Sequence, residues 1–80
     1  MPEFQQKNIK QYLQEYNIDE QQLTPRFLQD ITSTIHDRND LVIELEKESD
    51  EYKQEQIITD IQELDQKIEQ DFQEFNQDNS

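Results

Sequence analysis

Large apolar residues recur along this chain at spacings of three and four, the rhythm of one face of an α-helix. Ile9, Tyr12, Leu13 and Tyr16 form the first such stripe, and Phe4 can join it. Pro2 suits a first helical turn, where its missing N–H is not needed, and Glu3 suits the positive helix end. Asn17 tolerates the left-handed backbone that stops a helix. Together these signals predict a helix over about residues 3–16. Residues 17–24 then read as a connection, with Ile18 and Leu23 turned onto the core.

Thr24-Pro25 is a strong start signal, a capping hydroxyl followed by proline at the first helical position. From there Leu28, Ile31, Ile35, Arg38, Val42, Leu45, Ser49 and Tyr52 keep one helical phase. A second stripe runs through Ile57, Ile61, Leu64, Ile68, Phe72 and Phe75. The step from Leu45 to Ile57 leaves the two stripes roughly 120° out of phase. A straight helix cannot aim both at one partner, so the chain is expected to turn between them. Lys47 suits a helix C-terminus, and Ser49 or Asp50 suits an N-cap with Glu51 inside. The expected helices are about 25–47 and 51–76, near-equal lengths that favour an antiparallel hairpin. A rival reading turns at Asp37–Asp40, where Asn39 and Asp40 are turn-prone, and leaves one long helix of about 35 residues.

The predicted fold is therefore all-α. It is a small three-helix protein with a short N-terminal helix packed on a long hairpin, forming one domain over 1–76 with a frayed tail at 77–80. Leu28, Ile31, Ile35, Val42 and Leu45, with Ile57, Ile61, Leu64, Ile68, Phe72 and Phe75, supply its core. In heptad terms Ile57 and Leu64 take d positions and Ile61 and Ile68 take a, so the same stripe can serve as an oligomer seam. A homodimer could complete such a bundle.

Composition tests whether this pattern belongs to a folded chain. Of 80 residues only 30% are hydrophobic, and the formal net charge is −13, which together are a signature of disorder. The apolar residues are nevertheless large and periodic, which a disordered tail is not. The chain has no glycine and no cysteine. That excludes phosphate-cradling glycine loops, Rossmann fingerprints, disulfide frameworks and zinc–thiolate sites. No apolar run is long enough for a membrane span or a signal peptide. With no cysteine as well, a cytoplasmic, intracellular protein is expected. The negative charge opposes direct nucleic-acid binding.

Candidate chemistry is sparse, and no enzyme, cofactor or metal site is expected. His36 is the lone histidine and reads as a surface residue. Asp37 and Asn39 begin like a calcium loop, but Leu41 and Val42 stand where a ligand and a glycine are needed. Acid pairs one turn apart are plentiful, yet such pairs on a helix surface are usually solvated.

The charge is unevenly placed. Residues 1–36 carry a net −2 and residues 37–80 a net −11. This marks Glu44, Glu48, Glu51, Glu55, Asp60, Glu63, Asp65, Glu69, Asp71 and Glu74 as a candidate acidic face for a basic partner. Small inhibitors of nucleic-acid enzymes, antitoxins and immunity proteins share this style of composition, although no motif identifies a family. Partial DNA mimicry can be gauged. A helix over 51–76 spans roughly 39 Å, and duplex DNA of that length carries about 23 charges. Those residues carry a net −6, about a quarter of that density. The expected function is a non-enzymatic acidic protein that docks on a basic protein, such as a nucleic-acid-binding enzyme, as an inhibitor or antitoxin-like modulator. The alternative is a coiled-coil adaptor or assembly subunit whose Ile/Leu/Phe seam drives oligomerisation and whose charge only solubilises.

Overall fold

The computed structural model describes residues 4–78 and measures 44 × 19 × 17 Å. Its helices are α1 (Ile9–Glu15), α2 (Pro25–Lys47) and α3 (Glu51–Asp78), with one 3₁₀ turn at Glu20–Gln22. The protein is all-α among the described residues, and α2 and α3 pack against each other as an antiparallel hairpin.

Local chemistry accounts for each boundary. The Thr24 hydroxyl accepts from the Phe27 N–H at 3.1 Å and Pro25 opens α2. Lys47 stands in the last turn of α2, favourable at the negative helix end. The Tyr52 N–H donates to the Asp50 carboxylate at 2.9 Å, capping α3, and the Gln54 side chain donates back to the Glu48 carbonyl at 2.6 Å. The turn therefore lies at residues 48–50, where the phase slip put it. The rival turn at Asp37–Asp40 is mid-helix, because Arg38 holds the buried phase between Ile35 and Val42.

Helix α1 is shorter than the predicted 3–16. Asn8 and Gln11 form a capping box: the Gln11 N–H donates to the Asn8 side chain at 3.0 Å, and the Asn8 N–H to the Gln11 side chain at 2.8 Å. That box starts the helix at Ile9 and leaves residues 4–8 outside it. Pro2 and Glu3, expected to open the helix, lie outside the described residues. At the other end Asn17 takes φ 56°, and the Ile18 N–H returns to the Leu13 carbonyl at 2.9 Å, a Schellman closure. Ile18 is buried and Leu23 half-buried, which seats the connection on the core. Helix α3 continues through Gln77 to Asp78, both part of the predicted frayed tail, while Asn79 and Ser80 are outside the described residues.

The core is divided by a polar layer. Tyr12, Leu13, Ile18, Ile31, Ile35, Ile68 and Phe72 form one buried cluster, and Val42, Ile57 and Ile61 a second. Phe72 is fully buried, with Tyr12 and Tyr16 stacked on it at 5.8 and 4.9 Å and Phe27 meeting it edge-on at 5.9 Å. Between the clusters sits Arg38, 4% exposed. Its Nε donates to Asp65 of α3, and one terminal nitrogen donates to the Gln5 carbonyl at 2.7 Å and the Asn39 side chain at 3.3 Å. Of the predicted core, Leu28, Leu45, Leu64 and Phe75 are half-buried, and the other seven residues are buried within this single chain.

Asn39 holds the N-terminal segment from the next position. Its amide oxygen accepts from the Lys7 N–H at 3.0 Å and its amide nitrogen donates to the Lys7 carbonyl at 2.7 Å. One side chain thus satisfies both backbone groups of a residue outside any helix. Phe4 packs beside Val42, Ile57 and Ile61. The Lys7 ammonium pairs with Glu15 at 2.9 Å and lies 5.1 Å from the Tyr12 ring centre. Asn39→Ala should speed Lys7 amide exchange about tenfold or more while the Ile61 and Ile68 amides keep their protection. Unchanged exchange at Lys7 would show that Asn39 does not hold the segment.

Candidate functional site: the open face of the hairpin

Residues 4–23 cover one face of the hairpin, and that leaves the opposite face as the available surface. Arg38, Asn39, Phe72 and Asn76 mark the covered edge through their bonds and ring contacts to residues 5–16. At helical spacing, Phe27, Asp30, Thr34, Asp37, Leu41 and Glu44 of α2 lie on the other side. So do Lys53, Asp60, Leu64, Lys67, Asp71 and Phe75 of α3.

Three clefts follow this open groove. At the free end of the hairpin, Phe27, Ile31 and Phe75 form an apolar floor flanked by Asp30, Asp71 and Glu74, with the two phenylalanine rings 5.0 Å apart. In the middle, Asp30, Asp37, Asp71 and Lys67 surround Ser33 and Thr34. Thr34 is buried, and its hydroxyl donates to the Asp30 carbonyl at 3.1 Å. At the turn end, Leu41 and Ile57 are bordered by Glu44, Glu48, Asp60 and Lys53.

The ten acids expected to make one face are distributed over three environments. Glu44, Glu48, Asp60, Asp71 and Glu74 border the open groove. Glu51, Glu55, Glu63 and Glu69 are exposed on α3 and line none of the three clefts. Asp65 is half-buried and committed to Arg38, so its charge is spent inside the fold. The groove also recruits Asp30 and Asp37, together with Phe27 and Leu41, residues that the sequence reading did not select. Their signal was present as a second helical row on α2, one step round from the buried stripe. It could be told from solvated surface only once the N-terminal segment had been placed.

Asp71 is electrostatically uncomfortable where it stands. Burial pushes its carboxyl above the ordinary value, Lys67 counters this, and Glu74 and Asp30 add to the rise. His36 is exposed and lies 3.5 Å from Asp40. Among the described residues, no group of three or more His, Asp or Glu could hold a metal ion, and no helix is long and apolar enough to cross a membrane. The groove thus presents a mainly acidic rim, apolar patches at its two ends and a polar middle. No protein-family model, curated protein or solved structure matches the chain.

Because Asp71 binds its proton more tightly when folded, this group favours folding most at low pH, and that contribution is lost as pH rises through the folded value. Asp71→Asn should therefore raise the thermal midpoint near pH 7 and give no gain near pH 2.5, where the native carboxyl is protonated in both states. A gain that persists at low pH would mean that packing, not charge, is responsible.

Proposed function

We propose that this chain is a non-enzymatic acidic binding protein that docks the open face of its hairpin on a basic protein partner. The observation that carries this reading is the groove itself. Carboxylates from both long helices border apolar patches at the two ends of a groove with a polar middle, on the face that residues 4–23 do not cover. Solubility alone would be served by charge anywhere. Here Asp30, Asp71 and Glu74 stand around two phenylalanine rings, and burial there makes the charge of Asp71 costly. Such an arrangement suits a partner that brings cations and apolar surface together.

A nucleic-acid-binding protein is the class of partner with a suitable basic surface, and the chain would act on it as an inhibitor or antitoxin-like modulator. Its charge density is that of a short stretch of one nucleic-acid strand at most, so any mimicry concerns a local contact. The adaptor reading draws less support. It needs Ile57, Ile61, Ile68 and Phe72 at an interface between copies, and these four are already buried against α1 and α2. Catalysis draws little support from His36, which faces water on the hairpin surface.

Affinity capture from native extract at about 0.1 M and about 0.5 M salt tests the reading, because exposed ion pairs are screened over this range. The expected result is a basic protein retained at low salt and released at high salt, and lost when Asp30, Asp71 and Glu74 are neutralised together. A neutral or acidic partner held equally at both salt concentrations would overturn it.

A further inference from the structure

The chain itself displays how the hairpin receives a helix. On its covered face α1 lies against both α2 and α3, with Tyr12 and Leu13 buried and Tyr12 and Tyr16 stacked on Phe72. The opposite face offers the equivalent notch between the same two helices, without an occupant of its own from the described residues. At its ends the half-buried Phe27 and Phe75, and Leu41, supply apolar footing with acids on both sides, and the half-buried Leu64 follows the same helical row of α3.

We infer that the partner element recognised by this protein is a basic amphipathic α-helix, lying in the open groove between α2 and α3 and completing a four-helix arrangement. The inference rests on the proposed docking function and adds the shape and chemistry of what docks. Three arguments support a helix. The groove walls are two antiparallel helices and offer no strand edge, so the recognition mode available is helix-in-groove packing. The spacing also fits. Phe27 and Leu41 are fourteen positions apart on α2, about 21 Å, which matches apolar residues at i and i+14 of an incoming helix. Charge fixes the flanks: Asp30 and Asp37 on one wall and Asp60, Asp71 and Glu74 on the other outnumber Lys53 and Lys67, so the net charge calls for Lys or Arg beside the incoming helix's apolar residues. A second copy of the chain is a poor occupant, since each carries −13.

The probe is a Leu/Lys peptide of about 18 residues, roughly 27 Å as a helix, with leucines at i, i+3, i+4 and i+7. Its control is a peptide of the same composition with the leucines scrambled. Both are titrated into the isotope-labelled full chain and followed by amide chemical shifts. The patterned peptide should shift Thr34, Leu41, Leu64 and Asp71 and bind at least about tenfold tighter than the control, a difference of about 1.4 kcal/mol. Neutralising Asp30, Asp71 and Glu74 together should weaken it about tenfold, while neutralising Glu51, Glu55 and Glu69 should change it less than about threefold. Equal binding of both peptides, with shifts spread over Glu51, Glu55, Glu63 and Glu69, would overturn the helix-in-groove inference while leaving a basic partner in place. Binding of neither peptide would count against the inference and the docking function together. Groove shifts that appear on concentrating the protein without peptide would instead assign the groove to a second copy and overturn the inference.

Discussion

A guanidinium held in the interior of a small helical protein is the constraint on which the rest of this structure depends. Removing such a charge from water costs several kcal/mol unless it is paired and its N–H groups are satisfied. Arg38 is 4% exposed, and its partners come from three parts of the chain: Asp65 on α3, the Gln5 carbonyl in the N-terminal segment, and the neighbouring Asn39. Each partner fixes something larger. Asp65 sets the register of α3 on α2, because sliding either helix by a turn would leave the charge alone in the core. Gln5 and Asn39 bind residues 4–8 across the hairpin. The two apolar clusters lie on either side of this layer.

The same layer decides which surface is left for a partner. With residues 4–8 held by Arg38 and Asn39, α1 is delivered onto Phe72 and the covered face is complete from Phe4 to Tyr16. The acids of α2 and α3 are then sorted by geometry and not by count. One is consumed by the buried guanidinium, several face water away from any cleft, and others border a groove with apolar patches at its two ends. A net charge of −13 thus resolves into a structural counter-ion, a solvated surface and an acidic rim around the open groove. Only the last has the apolar backing that makes a contact both oriented and selective.

How much of this was legible in the sequence depended on how local the cause was. The two long helices were legible because their signals are short-range: Thr24-Pro25, Lys47, Asp50 and the phase slip between Leu45 and Ile57. The Schellman end at Asn17 and Ile18 was visible for the same reason. The start of α1 was misplaced because the Pro2-Glu3 start signal was followed and the Asn8–Gln11 capping box was not read, while Gln5 and Lys7 take backbone hydrogen bonds from positions more than thirty residues away. Arg38 could be seen to occupy the buried phase, but its counter-ion could not be chosen among twenty acids. Asp65 has the same local sequence character as Glu63 or Glu69. The groove was illegible for a related reason: Phe27, Asp30 and Leu41 become one surface with Asp71 and Phe75 only through the pairing of α2 with α3.

The most direct test of the central claim is a double-mutant cycle joining Arg38→Met and Asp65→Asn, read by urea unfolding. If the buried guanidinium and its carboxylate organise the hairpin, the two changes are strongly non-additive, with a coupling of about 1–3 kcal/mol and the double variant less destabilised than the sum of the singles. Additivity to within about 0.3–0.5 kcal/mol would contradict the account, because it would mean that the register and the covered face are set by the apolar stripes alone.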